Sequence, residues 1–205
     1  GILLHNAEPY TRLLREVCEG VGLTPFLAEG VPLAETSAGR SFLLLLRILE
    51  SNYARRAVME FATTADLVPP PPAGDGGGNE WPTALWDALT IRAKIVGGRE
   101  EWKRGLQGLP KLLEDRNRRR DADERRIDPG AVEPLRKFIG KLFALLANLE
   151  RAKTWPALVN AALATAFEFI RESDERALVL DAIRNLRDLE VLGASPELTR
   201  FTRLC

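Results

Sequence analysis

The chain has 205 residues, 45% of them hydrophobic and 28% charged, and its 29 basic and 29 acidic residues cancel. This composition is typical of a globular protein large enough to bury a core in one or two domains. Zero net charge argues against a nucleic-acid binder that is basic overall, but it leaves room for a local basic patch. Cys18 and Cys205 make no disulfide framework, which predicts a reducing, cytoplasmic setting, and the apolar runs are too short to predict a membrane span.

The first thirty residues predict a strand–helix–strand unit. Residues 1–4 form a short apolar strand pattern, residues 9–19 an amphipathic helix, and residues 23–28 a second extended segment. Such units normally belong to parallel sheets, and no further strands are predicted in the chain. We therefore expect residues 1–30 to be the edge of an α/β domain, in a piece excised from a longer protein.

Residues 31–205 predict a mostly α, multi-helix domain. Segment 68–80, with its VPPPPAGDGGGN run, predicts an exposed, flexible loop, because consecutive prolines favour an extended backbone and glycines make the backbone flexible. The apolar faces of the later helices are predicted to include Phe167 and Leu178. Helices are expected at Ser37–Glu50, Ala54–Ala62, from Trp81-Pro82, from Arg99, at Pro129–Ala152, from Trp155 to Ile170, from Ser173 to Leu189 and from Ser195-Pro196.

The motifs of several enzyme classes are missing from the sequence. It contains no G-x-x-x-x-G-K-[ST] phosphate-binding loop and no C-x-x-C pair. His5 is the only histidine, which excludes a multi-histidine metal site and a histidine-based triad elsewhere in the chain. The sequence therefore predicts no catalytic residue, no metal site and no cofactor.

Two groups of arginines are candidate DNA contacts. Arg55 and Arg56 open a predicted helix, where the helix dipole disfavours cations, so we expect a partner or solvent to hold them. Arg118, Arg119 and Arg120 lie in the polar stretch EDRNRRRDADERR of residues 114–126. These three either contact phosphates or belong to a solvated helix with internal ion pairs, and the interleaved acidic residues favour the solvated helix.

Four tryptophans offer a second kind of nucleic-acid contact. Trp81, Trp86, Trp102 and Trp155 could stack on single-stranded bases, or they could pack in a core or an interface. Most of them lie on apolar faces or near predicted helix starts, so packing is the favoured interpretation.

The opening segment resembles motif IV of UvrD-like superfamily 1 helicases. The resemblance is carried by residues 2–10, ILLHNAEPY, followed by a helix and by residues 22–26, GLTPF. The remainder resembles the 2B-like helical domain inserted after that motif, through residues 29–33, 53–61 and 95–98. Within the superfamily the chain is most similar to the AddB-type, exonuclease V-like branch related to RecB and RecC.

This resemblance implies a nucleotide-proximal position at His5, followed by Asn6. In active helicases the motif IV arginine is expected to reach the γ-phosphate of ATP. A histidine is shorter and is neutral near pH 7, so it binds phosphate poorly. The resemblance thus implies a lost ATP contact, in a parent that belongs to an ATP-dependent helicase–exodeoxyribonuclease complex.

Taken with the resemblance, the sequence predicts a non-catalytic helical domain used in DNA double-strand break repair and recombination. It would position DNA, through Arg55, Arg56 and Arg118 to Arg120, or hold a partner helicase–nuclease subunit. The alternative is a helical protein–protein interaction scaffold that does not bind DNA. A basic groove would favour the first interpretation, and a large exposed apolar patch would favour the second.

Overall fold

The computed structural model describes residues 10–23, 32–70, 80–118 and 127–192, together with Pro196 and Phe201. Within these residues the chain is mostly α, as predicted, with eight α-helices and no β-strand. One turn of 3-10 helix precedes α2, another precedes α6, and a longer one, Leu186–Leu192, follows α8. The α-helices are α1 (Tyr10–Gly20), α2 (Ser37–Glu50), α3 (Arg55–Thr64), α4 (Thr83–Arg92), α5 (Arg99–Arg118), α6 (Val132–Arg151), α7 (Trp155–Phe169) and α8 (Asp174–Asn185).

Side-chain caps explain where several helices begin. The Thr36 hydroxyl accepts a hydrogen bond from the Gly39 N–H at 3.0 Å and so caps α2. The carboxylate of Glu175, from α8, accepts the Ser37 N–H at 2.8 Å. A carboxylate is favourable at this end of a helix because the exposed N–H groups carry partial positive charge. The predicted bounds of α2 are confirmed, and its start is tied to α8.

The core is built around aromatic rings from α4, α6 and α7, together with Trp81, which lies just before α4. The ring of Phe138 lies 4.9 Å from that of Trp86, 5.3 Å from that of Trp81 and 5.4 Å from that of Phe169, measured between ring centroids. Trp86, Trp102 and Trp155 are fully buried. The prediction that the tryptophans pack in the interior is confirmed for these three.

Two predicted core residues lie on the surface instead. Leu178 is 58% exposed and Phe167 is 48% exposed. The inward face of α8 is set by Val179, Leu180 and Ile183, which leaves Leu178 on the opposite side of the helix. The ring of Phe167 lies under the Arg176 guanidinium, 5.3 Å from it, so this aromatic side chain is covered by a cation rather than by the core.

Two loops fix the position of α5. The Gly98 N–H, just before α5, donates to the Asn52 carbonyl at 2.9 Å. Inside α5, the buried Trp102 Nε1 donates to the Tyr53 carbonyl at 2.8 Å. The connection between α4 and α5 is therefore held against the turn that ends α2, which keeps α4 and α5 side by side.

The N-terminal unit is described only in its helix. α1 matches the predicted helix of residues 9–19. The predicted strand at 1–4 and all but the first residue of the one at 23–28 lie outside the described residues, as do 71–79 of the predicted loop, residues 119–126 and most of the predicted last helix. None of the helices in the described ranges has the length and apolarity needed to cross a membrane.

Candidate nucleic-acid interface

An open groove of about 580 Å³ separates the C-terminal end of α4 from the second half of α5. We call it the α4–α5 groove. Four of its lining residues are cations and one is a carboxylate, so the lining carries three net positive charges. The lining residues are Arg92, Lys94, Gly108, Lys111, Leu112, Asp115 and Arg116.

Lys94 enters the groove from a strained turn. Its φ is +55°, in the left-handed region, and it directly follows the last turn of α4. The Lys94 N–H donates to the Ile91 carbonyl at 2.9 Å, and the Ile95 N–H donates to the Thr90 carbonyl at 3.2 Å. This pattern ends many helices, usually with glycine at the left-handed position, and a side chain there costs ~1 kcal/mol or more. A lysine thus occupies a position where glycine would be more stable.

The second wall is the solvent side of α5. The core side of that helix is set by the buried residues Trp102, Leu106, Leu109 and Leu113. Lys111, Asp115 and Arg116 are exposed on the side that faces the groove. Between them Leu112 is 42% exposed. This wall therefore combines two cations and one carboxylate with a small apolar surface.

The described residues supply little negative charge to the cations of the groove. Some cations elsewhere do have partners: Arg99 lies 3.1 Å from the carboxylate of Glu150, and Arg136 lies 3.3 Å from that of Glu133. None of the four groove cations forms an ion pair with another residue in the part of the chain that the structure describes. Such a surface attracts polyanions, and arginine and lysine side chains are the usual ligands of phosphate.

Arg55, one of the predicted DNA contacts, forms a partly exposed ion pair with α4 and does not line the groove. Its Nη1 lies 2.6 Å from the Asp87 carboxylate and 3.4 Å from the Thr90 hydroxyl, both on α4. Asp87 and Arg92 are ~140° apart around α4, so Arg55 and the groove lie on different sides of that helix. The sequence left open whether a partner or solvent holds Arg55, and in the structure its partner is Asp87 of the same chain.

The other predicted contacts are placed only in part. Arg56 is exposed near the start of α3 and does not line the groove. Arg118 is exposed at the end of α5, seven residues after Lys111 and therefore on the same face of the helix, so it extends the cationic wall. Arg119, Arg120, His5 and Asn6 lie outside the described residues.

Arg92, Lys94 and Lys111 were not among the sequence-predicted sites. A cation in the last turn of a helix is ordinary, because the helix dipole favours it there, so Arg92 carries no local signal. The sequence does show that Lys111 and Arg118 are seven residues apart, and this spacing places both on one face of a helix. What the sequence does not display is that α4 and α5 lie side by side.

The described residues contain no group of three or more His, Cys, Asp or Glu side chains that could hold a metal ion. Burial raises the pKa of the Tyr53 phenol well above its ordinary value, and the nearby Glu150 carboxylate raises it further. The phenol is therefore neutral at physiological pH and acts as a structural group beneath Arg99, whose guanidinium lies 5.2 Å from its ring.

Comparison with protein-family models, with curated proteins and with solved structures gives no significant match to this chain.

Proposed function

We propose that this chain is a non-catalytic helical domain of an AddB-like helicase–nuclease subunit that positions DNA during double-strand break repair. The observation that carries the proposal is the α4–α5 groove, whose lining has three net positive charges. Although the chain as a whole has zero net charge, this groove is lined by four cations that form no ion pair with a described residue. That arrangement is a local electrostatic footprint for a phosphate backbone.

The proposed mechanism is electrostatic positioning. Each cation that neutralises a phosphate releases a condensed counterion, so affinity falls with salt by ~0.9 log units per log unit of salt for duplex and ~0.7 for single strands, per contact. Lysine and arginine contacts to phosphates fix the path of the DNA without reading its sequence. The domain would therefore guide DNA toward catalytic sites carried by other parts of the complex.

The N-terminal helix supports the proposed origin of residues 1–30. Leu13, Val17 and Val21 recur every four residues along one face of α1 and its exit turn, and they are 58%, 57% and 68% exposed. In an α/β domain such a face packs against a sheet. An uncovered apolar stripe is what the helix of a strand–helix–strand edge would show when it is separated from a helicase core. His5 and Asn6 would then lie at the degenerate nucleotide-contact position of that core.

The proposal is tested by DNA binding as a function of salt. We expect Lys111→Ala/Arg116→Ala to weaken binding of labelled DNA in fluorescence anisotropy and to reduce the salt slope by about 1.4 to 1.8, the sum of two phosphate contacts. The matched control is Lys137→Ala/Arg151→Ala, which removes two exposed cations of α6 that lie outside the groove. Equal affinity and an unchanged slope in the groove variant would overturn the proposal.

A second candidate function is a scaffold that docks a partner subunit without binding DNA. The exposed stripe of Leu13, Val17 and Val21 favours it, because contiguous exposed apolar surface often marks an interface. Co-expression with the partner helicase–nuclease subunit separates the two candidates. If Leu13→Ser/Val17→Ser abolishes co-purification while wild-type protein shows no affinity for DNA, the scaffold function is correct.

A further inference from the structure

A second crevice, of about 260 Å³, lies between the first half of α5 and the middle part of α6. We call it the α5–α6 crevice. A protein cavity of ~150 Å³ is large enough to bind benzene, whereas pockets for drug-sized ligands begin near ~300 Å³. The α5–α6 crevice therefore has room for one large side chain rather than for a folded element of a partner.

The apolar part of its lining is held rigidly. Leu106 of α5 and Ile139 of α6 are each 4% exposed, and Phe143 of α6 is half-buried. The Phe143 ring makes edge contacts with the rings of Tyr53 and Trp102, whose centroids lie 4.6 Å and 5.7 Å away. Because aromatic neighbours fix this ring, its remaining surface is preorganised to pack against an apolar side chain of a ligand.

Gly140 leaves the α6 wall of the crevice without a side chain. A Cβ atom added to it would meet no atom within 4 Å, so packing inside the protein does not require glycine there. Gly105 of α5 is different, because its Cβ atom would lie 2.6 Å from Cγ1 of Ile95. A glycine inside a helix costs ~1 kcal/mol relative to alanine. A glycine that no internal contact explains allows a ligand to approach the helix backbone closely.

The charge of the crevice matches a single anionic group. No carboxylate lines it. Arg99 and Arg136 already form ion pairs, so Lys103 is the lining cation that has no ion pair within the described residues. Gln107 is exposed one turn after Lys103 on α5, so its amide can donate to the same anion. A ligand with one carboxylate fits this arrangement better than a polyanion does.

We propose that the α5–α6 crevice binds the C-terminal residue of a protein partner, a function separate from DNA positioning. A chain that ends in a large apolar residue carries an apolar side chain and a carboxylate on the same residue. The side chain packs on Phe143 beside Gly140, and the carboxylate accepts hydrogen bonds from Lys103 and Gln107. An internal acidic segment fits less well, because its several carboxylates meet one unpaired cation.

The test uses a fluorescein-labelled peptide, Gly-Ser-Gly-Ser-Phe, with a free C-terminal carboxylate. Two control peptides are the same sequence with a C-terminal amide and a peptide that ends in alanine instead of phenylalanine. Fluorescence anisotropy with the 205-residue chain measures each affinity. We expect each control peptide to bind on the order of tenfold more weakly, because one lacks the charge-assisted hydrogen bond and the other lacks the buried apolar side chain.

Variants of the protein locate the binding site. Gly140→Leu fills the crevice, and it should lower affinity for the phenylalanine peptide on the order of tenfold. Gly108→Leu is the matched control, because Gly108 also has open space inside a helix but lies outside the crevice. Leucine forms helices better than glycine, so neither change weakens its helix, and thermal melts verify that both variants fold.

Lys103→Ala tests the contact with the carboxylate. This variant should bind the free-carboxylate peptide as weakly as wild type binds the amide, and its affinity for the amide should not change, because the lost interaction is then the same one. If Lys103→Ala weakens both peptides equally, Lys103 does not hold the carboxylate and the proposal is wrong.

Three further results would overturn the proposal. They are equal affinity for the carboxylate and amide peptides, equal losses in Gly140→Leu and Gly108→Leu, and no binding of the phenylalanine peptide up to about 1 mM. None of them affects the DNA-positioning proposal, because Lys103 and Gly140 do not line the α4–α5 groove and DNA affinity is measured separately.

Discussion

Two crevices flank α5, and they differ in how their cations are neutralised. The crevice between α5 and α6 has a volume of about 260 Å³, and its lining includes Arg99, Lys103 and Arg136. Of these, Arg99 pairs with Glu150 and Arg136 with Glu133, so within the described residues only Lys103 has no carboxylate partner. The α4–α5 groove is larger, at about 580 Å³, and none of its four cations pairs with a carboxylate of the described residues. The number of cations is therefore a poor guide to a binding surface, and the supply of internal counter-charge is a better one.

The difference follows from which helix faces α5 on each side. α6 brings Glu133 and Glu150 near its two ends, within reach of Arg136 and Arg99. On the other side, the last turn of α4 and its exit bring Arg92 and Lys94 toward further cations. Exposed ion pairs add little to stability, ~0–1 kcal/mol each, but they cancel local potential. The positive potential of the α5–α6 crevice is therefore reduced to that of Lys103, whereas the α4–α5 groove keeps a larger positive potential for a ligand.

Charge reversal on the two sides of α5 has the largest expected effect on this comparison. Lys111→Glu/Arg116→Glu converts three net positive charges of the groove lining into one net negative charge, and DNA affinity should fall by more than about tenfold. Lys103→Glu/Arg136→Glu makes the same change in the α5–α6 crevice and should cost much less. Anisotropy titrations at low salt measure both variants. Equal losses would mean that the total charge of the protein, and not the groove, controls binding.

Local signals predicted the helices well. The start of α2 follows from Thr36, whose side chain caps it, and the start of α8 from Ser173, which accepts the Arg176 N–H at 3.1 Å. Capping residues act on their own first turn, so no tertiary information is needed. Burial of Trp86 was likewise predictable from its place on an apolar helix face.

The site was harder to predict because its contacts are long-range. Arg55 was a predicted DNA contact, but its partner Asp87 lies 32 residues later in the chain. No local sequence pattern predicts an ion pair between residues so far apart. The groove itself exists because the turn before α5 docks on the turn after α2, through Gly98 and Asn52. Patterns within one helix cannot reveal which two helices share a crevice. The same reason explains why Leu178 was wrongly predicted to face the core, since its exposure depends on which face of α8 packs against the other helices.

Lys94→Gly is expected to have a smaller effect, with opposite signs on stability and on binding. Glycine adopts the +55° φ of this position without strain, so the free energy of unfolding should rise by ~1 kcal/mol. Loss of one groove cation should weaken DNA binding and lower the salt slope by ~0.7 to 0.9. Urea unfolding measures the first effect and anisotropy the second. Asn52→Gly, at a φ of +51° outside the groove, is the matched control and should stabilise without altering binding. If the Lys94→Gly protein binds DNA with an unchanged salt slope, Lys94 does not contact a phosphate.

The smallest expected effect concerns Tyr53, at the edge of the α5–α6 crevice, and appears only in alkaline solution. Burial, and after it the Glu150 carboxylate, raises the pKa of the folded phenol, whereas the unfolded phenol ionises near pH ~10. Above that pH the unfolded state binds fewer protons than the folded state, so stability falls as pH rises, by up to about 1.4 kcal/mol per pH unit. Below it this contribution is fully present and constant.

Tyr53→Phe removes the titrating group, so the alkaline decline in the free energy of unfolding should be shallower than in wild type. Urea unfolding between pH 8 and about pH 11 measures the two slopes. The two proteins differ only in this hydroxyl group, so the difference between the slopes isolates Tyr53. DNA binding at neutral pH should not change, because Tyr53 lies outside the α4–α5 groove. Equal alkaline slopes would show that the phenol ionises as readily in the folded protein as in the unfolded chain, and a loss of DNA affinity would show that the two sides of α5 are coupled.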